Sequence, residues 1–358
     1  MPRARSCAES CAIADHPRAW LATGQTVRFG AMTTSTLLTE LLAERGVLLV
    51  DGATGTQLMA AGLEAGDAPE RLNLDHPETV HGLHESYVNA GSDIVLTNTF
   101  GGSRLRLKLH KLDDRVIEIN REAARHARHI VDQLERRVLV AGSMGPTGEL
   151  LAPLGALDPA DAADVFAEQA TGLAEGGANL LWIETMSSME EIEAAIAGCR
   201  SVSDLPIAVT LSFDTAGRTM MGVDGTTAGV RLRERGVAAM GANCGNNLPD
   251  TEAALVQMVA VAGDIPVIAK ANAGIPQWRG AELAYSGSPE VAGAHAHRVR
   301  TAGVSIIGGC CGNEPAHLAC MRAVLDGTIP VPDVEFEPAS APADTGDGRR
   351  RRGGRRRS

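Results

Sequence analysis

Aromatic side chains are scarce in this sequence: three Trp, two Tyr and five Phe, or 3% of 358 residues. A core built from it must rest on Ala, Val, Leu and Ile, with forty glycines for tight turns. Lysine is scarcer still, at Lys108, Lys111 and Lys270 only, which leaves few candidates for amine chemistry. No apolar run approaches the roughly 18 residues of a membrane span. The N-terminus MPRARSCAESCAIADH has no apolar stretch of the kind a signal peptide needs. A membrane partner is therefore not expected, and the reducing cytoplasm is the default location. The net charge is −11, but seven of the 33 basic residues are arginines in the last ten positions. The 26 that remain, against 44 acidic residues, leave the body at −18, a poor polyanion binder, so no nucleic-acid partner is expected. With 44% hydrophobic and 22% charged residues the chain is globular.

Residues 1–35 lack periodicity and read as a flexible extension, with Met32 as an alternative start. Cys7 and Cys11 fall there without further close ligands and are read as incidental. Residues 331–358, rich in Pro, Ala and then Arg, read as a disordered tail. Between them, over 36–330, one rhythm repeats: a short apolar run, a turn, an amphipathic stretch. The runs are 46–52, 93–100, 137–143, 179–185, 206–213, 237–244, 266–272 and 304–311. Strands buried on both faces have this composition. Helices are expected from Pro77, over 114–135, from Pro159, from Ser188 and over 226–236, 250–263, 289–302 and 315–326. Ser188 is an N-cap candidate with Glu191 at capping-box distance. Strands alternating with helices in this number predict a single (β/α)8 TIM barrel. An open doubly wound sheet is the alternative, but no glycine fingerprint opens the first helix.

In such barrels the site lies at the C-terminal strand ends, which here carry Asp51, Asn98, Thr99, Ser143, Glu184, Asp214, Cys244, Asn272, Cys310 and Cys311. Cys244 ends the sixth run and Cys310–Cys311 the eighth, followed by Gly312, where the backbone can turn both sulfurs inward. Three thiolates with one open position make a catalytic-type Zn2+ site, whereas buried cysteines can also be small hydrophobes. Cys199 and Cys320 lie on helices and are read as packing residues. An open zinc position can hold a substrate thiol as thiolate, since a free thiol of pKa about 8.5 is only partly ionised. That chemistry suits alkyl transfer to sulfur better than hydrolysis, which Glu184 would have to serve as base.

Over about residues 38–327 the chain resembles the homocysteine S-methyltransferases. The motifs are DGATGTQL (51–58), LTNTFGGSRLRL (96–107), GPTGELLAPLG (145–155), IET (183–185), SFD (212–214), GANCG (241–245) and GGCCG (308–312). The pattern looks most like the bacterial betaine–homocysteine methyltransferases, and it is also similar to the homocysteine module of cobalamin-dependent methionine synthase. The resemblance implies zinc held by Cys244, Cys310 and Cys311, with homocysteine sulfur as the exchangeable ligand. It implies that Asp51, Gly52 and Glu184 receive the amino-acid end: the carboxylates suit an ammonium, and amides at Gly52 and Ala53 a carboxylate. Thr97 or Asn98 adds a side-chain hydrogen bond.

A quaternary ammonium donor is best held by aromatic faces. Animal betaine enzymes carry aromatics where this chain has Gly101 and Thr185, and bacterial ones carry a Trp near the APERLN stretch (68–73). The remaining candidates are Phe100, Phe213, Trp278 and Tyr285. Glycine betaine is the favoured donor; S-methylmethionine, S-adenosylmethionine or a methyl-corrinoid partner are alternatives, and a homo-oligomer stays open. Two rival readings are a sugar-phosphate aldolase, with IIGG (306–309) as phosphate cradle and Lys270 as Schiff base, and a non-catalytic zinc-binding protein. The first leaves the cysteines unexplained.

Overall fold

The computed structural model describes residues 36–335 apart from 215, 275, 280 and 281, with the backbone alone for 276–279 and 282–284. Cys7, Cys11, the N-terminal extension and most of the C-terminal tail lie outside the described residues. The described residues form ten strands: β1 (Leu48–Leu49), β2 (Ile94–Leu96), β3 (Leu139–Met144), β4 (Leu180–Met186), β5 (Ile207–Leu211), β6 (Ala239–Cys244), β7 (Val267–Ala271), β8 (Pro276–Arg279), β9 (Glu282–Tyr285) and β10 (Ile306–Gly309). Eight of them form one parallel sheet in the order β1-β10-β7-β6-β5-β4-β3-β2. A parallel bridge between Val50 and Ile94 brings the two edges together, so the sheet closes into the (β/α)8 barrel that the sequence rhythm predicts. β8 and β9 form a separate antiparallel hairpin in the loop after β7, which sequence reading left as an irregular loop.

The main helices are α1 (Leu37–Arg45), α2 (Gly55–Ala60), α3 (Leu72–Asp75), α4 (Pro77–Asn89), α5 (Arg104–Leu107), α6 (Val116–Val131), α7 (Pro159–Glu175), α8 (Met189–Val202), α9 (Gly225–Glu234), α10 (Leu248–Ala262), α11 (Pro289–Thr301) and α12 (Pro315–Leu325). Proline opens α4, α7, α11 and α12, where its missing N–H costs nothing. Asp158, Ser188, Asp224, Asn247 and Ser288 cap α7 to α11 through their side chains. Ser188 accepts the N–H of Glu191 at 3.1 Å as expected, but the Glu191 carboxylate turns away to Thr147, taking its N–H at 2.8 Å and its hydroxyl at 2.7 Å. The capping box is half used, and the other half pins the loop after β3.

Strand parity separates two cores. Leu48, Val50, Ile94, Leu96, Leu139, Ala141, Leu180, Trp182, Ala208, Ala239, Ile268 and Ile306 fill the lumen, and Leu38 and Leu41 of α1 join them. α1 therefore stops the end of the barrel where the strands begin. The alternate residues, among them Leu181, Ile183, Val209, Met240 and Ala269, pack outward against the helices. Few aromatics suffice: among the described residues Trp182, Tyr87, Phe166 and Phe213 are the fully buried ones. Above the apolar lumen, the same inward parity continues into Ser143, Glu184, Thr210, Asn243, Lys270 and Cys310, which makes the mouth polar.

Candidate active site

Three sulfurs meet at the mouth. One ligand atom each from Cys244, Cys310 and Cys311 lies within 4.8 Å of the others, and Cys244 Sγ and Cys310 Sγ are 3.0 Å apart. Cys310 follows β10 in the inward register. Cys244 does not follow its own: Asn243 takes the inward place on β6, and a left-handed Cys244 (φ 56°) followed by Gly245 (φ 81°) swings the thiol round. Gly312 (φ 79°) makes the corresponding turn after Cys311, and the Tyr285 ring packs where a Cβ at 312 would stand. Only glycine meets both demands there.

The thiols share their protons unequally. Hydrogen bonds from Cys244 and then Cys310 hold the Cys311 thiol well below its usual range, with the Tyr285 hydroxyl helping. Cys244 is pushed up as the hydrogen-bonding partner of Cys310 and Cys311. A tetrahedral zinc with Zn–S bonds of about 2.3 Å sets its sulfurs about 3.8 Å apart, a spacing the cluster brackets. Nearby, Asn272 donates its amide to Gly245 O at 2.8 Å, and its buried Oδ1 has no partner among the described residues, an oxygen acceptor with lone pairs to spare. The donor set of three soft thiols fits a zinc ion.

Next to the sulfurs lies a buried charge group. Lys270 Nζ sits 3.0 Å from Asp51 Oδ1, and Asp51 Oδ2 accepts the Leu96 N–H at 2.6 Å. Both Asp51 oxygens are thus held by the protein itself. Burial alone would push Lys270 down, but Asp51, Glu184 and Cys310 outweigh it and raise it above the usual lysine range. A protonated, ion-paired amine is no nucleophile, which counts against Schiff-base chemistry. Glu184 accepts the Ser143 hydroxyl on Oε1 at 2.5 Å, and its Oε2 has no hydrogen-bond partner among the described residues. Burial pushes its carboxyl up to about 7, against the pull of Lys270.

The other expected contacts divide. The Ala53 N–H is taken by Asn313 O at 3.0 Å, while the Gly52 N–H finds no partner among the described residues. A Cβ at Gly52 would stand 2.3 Å from Asn313 O, so the turn itself requires glycine. Thr97 Oγ1 bonds Thr99 Oγ1 at 2.6 Å and accepts the Ser143 N–H at 3.0 Å. Asn98 donates to Pro69 O at 2.7 Å and so ties the first loop to β2. Both side chains are buried and knit the rim together.

Of the aromatic candidates, Phe213 is fully buried in the outer core and does not line the mouth. The correction has a simple cause: Ser212 holds the inward register at that strand end. Phe100 is 40% exposed with its ring against Gly145. Tyr285 reaches Cys311. Trp278 lies on β8, with its side chain outside the described residues. At Gly101 the Glu70 carboxylate lies 2.9 Å from where a Cβ would be and accepts the Gly101 N–H at 2.6 Å, so no aromatic fits there without displacing it. Asn243 and Lys270 are the site residues that sequence reading missed or misassigned; period-two counting along β6 and β7 from their apolar inward residues finds both.

A profile of the homocysteine S-methyltransferase family matches residues 48–325. The chain belongs to the homocysteine S-methyltransferase family. It is 32% identical to the methionine synthases of Mycobacterium tuberculosis and Mycobacterium leprae, over 84% of its own length but 26% of theirs, so it spans about a quarter of these curated relatives. The fold matches the Escherichia coli homocysteine methyltransferase MmuM in its metallated form with a TM-score of 0.68 and 24% identity, covering 80% of this chain and 99% of that one. A methyltransferase from Methanosarcina mazei shares the fold at a TM-score of 0.54 and 14% identity, over 82% of this chain and 99% of that one. Among the described residues no helix is long and apolar enough to cross a membrane.

Proposed function

We propose that residues 36–330 form a zinc-dependent S-methyltransferase that moves a methyl group from a small cationic donor to the sulfur of homocysteine, giving methionine in the cytoplasm. The observation that carries this reading is the meeting of Cys244, Cys310 and Cys311 beside a buried Glu184 whose Oε2 has no hydrogen-bond partner among the described residues. When bound, zinc supplies a Lewis acid that keeps a substrate thiol ionised near neutral pH. The chain's own residues do the rest. Glu184 takes the ammonium of the substrate, while Lys270 neutralises Asp51 and so leaves Glu184 as the carboxylate for that task. The Gly52 N–H takes a carboxylate oxygen. The apolar lumen below, walled by Trp182, Leu96 and Ile268, strengthens each of these contacts.

Glycine betaine is the first donor to test, because a cationic donor meeting an anionic thiolate neutralises charge in a low-dielectric mouth. A second reading, a methylated corrinoid carried by a partner protein, has its own support. Phe100, Leu150, Leu154, Met220 and Met221 stand exposed on the loops after β2, β3 and β5, at 70% for Leu154 and 78% for Met220. Apolar side chains around a mouth suit a macromolecular donor, and the relatives from Mycobacterium are methionine synthases. The deciding experiment is a donor panel on the zinc-loaded protein with homocysteine, following methionine. Betaine turnover yields dimethylglycine; turnover confined to a methyl-corrinoid protein selects the second reading. Zinc bound with no methionine from any donor would leave only a zinc-binding protein.

A further inference from the structure

The side chain that joins the sulfur cluster to the Glu184 strand end is Asn243. It is fully buried on β6, and its Oδ1 accepts the backbone N–H of Thr185 at 2.8 Å. A backbone N–H can only donate, so chemistry fixes which way the amide faces. One amide hydrogen goes to Thr185 Oγ1, with Nδ2 at 2.6 Å. Nδ2 also lies 3.6 Å from Cys244 Sγ and 3.8 Å from Cys310 Sγ, so the second hydrogen is shared between two sulfurs.

Thr185 requires such a partner. Its φ of 61° is left-handed, a conformation that β-branched residues seldom adopt. It follows Glu184 directly, where the β4–β5 register shifts between Ile183 and Met186. The paired bonds to Asn243 hold the chain in that turn and with it the direction of Glu184.

We propose that Asn243 is a positioning residue that sets both ends of the substrate at once, holding Glu184 through Thr185 and drawing electron density from Cys244 and Cys310. Three thiolates around a divalent ion carry excess negative charge, and N–H···S bonds offset part of it. A hydrogen-bonded thiolate is the poorer nucleophile. The substrate sulfur, outside this network, is therefore the one left to attack the donor, and the protein ligands are spared methylation. The proposal rests on the zinc–homocysteine reading above.

The test replaces zinc with Co2+ in the full chain and reads the thiolate-to-cobalt charge-transfer band together with homocysteine kinetics. Asn243→Ala should still take up cobalt, move the band to lower energy and lower kcat by about 10- to 100-fold. An unchanged band and kcat in a cobalt-loaded Asn243→Ala protein would overturn the proposal. Thr185→Val should keep the band and raise the homocysteine KM several-fold, and Thr185→Ser, which keeps the hydroxyl, should restore it. A parental KM in Thr185→Val would overturn the Thr185 half. Asn243→Asp keeps the volume and the acceptor but loses both donors; it replaces Asn243→Ala if that chain does not fold, and the same band shift is required of it. A parental chain that takes up no cobalt, or whose band ignores homocysteine, refutes the zinc–homocysteine reading before any variant is compared, and the proposal with it.

Discussion

Glu184→Gln should make the metal-free protein more stable while it loses homocysteine. Burial holds the Glu184 carboxyl up at about 7, against an ordinary value of 4.5. Below the lower value the group is protonated whether folded or unfolded and changes nothing. Between the two, the unfolded chain gives up the proton while the folded chain keeps it, so stability falls as pH rises. Above the folded value the loss is complete, and at about 1.4 kcal/mol per pH unit it amounts to about 3 kcal/mol. A glutamine carries no charge to bury, and its carbonyl can still accept the Ser143 hydroxyl. Urea unfolding of the reduced, metal-free proteins is the assay. Parent and variant should be close at about pH 4.5, and the variant should be more stable by about 3 kcal/mol at about pH 8. The zinc-loaded variant should bind homocysteine more weakly, since a charge facing the ammonium is gone. A variant no more stable than its parent at the higher pH, or a difference independent of pH, would refute the assignment of a buried, proton-holding carboxyl.

Cys310→Ala should reduce bound zinc to a trace by metal analysis, while Cys320→Ala, on α12 away from the mouth, should keep both zinc and turnover; normal zinc in Cys310→Ala would exclude the cluster. Lys270→Met should destabilise the fold by about 3–5 kcal/mol in the same unfolding assay, because Asp51 is left buried without its partner. Borohydride with carbonyl compounds should trap no adduct on Lys270, and a trapped adduct would revive the aldolase reading. In the metal-free protein, limited alkylation at neutral pH read by mass spectrometry should mark Cys311 first, whose thiol its neighbours hold down, and spare Cys199, which burial pushes up to about 12. Trp278→Ala should raise the betaine KM by a factor of about 2 to 30, the span of one cation–π contact of about 0.5–2 kcal/mol, with homocysteine binding unchanged.

The barrel was legible because its signals are local. Short apolar runs bounded by turn residues mark strands buried on both faces, and Pro77, Pro159 and Ser188 mark helix starts by rules that act within one turn. The β8–β9 hairpin was not legible, since Pro276, Gly280 and Gly287 all read as loop punctuation and each strand is only four residues long. The three cysteines stood out through position, but their convergence needed left-handed turns at Cys244 and Gly312 that a sequence only suggests. The ion pair of Asp51 with Lys270 was not legible, because Lys270 lies 219 positions away on β7. An inward-facing lysine in an aliphatic strand is itself a sign that an acid waits across the lumen. Asn243 was hidden inside a motif whose cysteine drew the attention.

Ring closure also sets an order of events during synthesis. β1 is one of the first strands made, yet one of its two neighbours is β10, joined through Leu48↔Ile306 and Leu49↔Ile307. Until residue 307 has emerged, the growing sheet keeps two open edges, one at β1 and one at its latest strand, with unpaired backbone groups that invite pairing with another chain. The last segment to arrive also brings Cys310 and Cys311, so a nascent chain has Cys244 alone and no third of a cluster is worth much without the rest. A chain stopped short of Ile306 lacks both the seam and two of the three sulfurs, and metal uptake by ribosome-bound or truncated chains therefore reports completion of the ring.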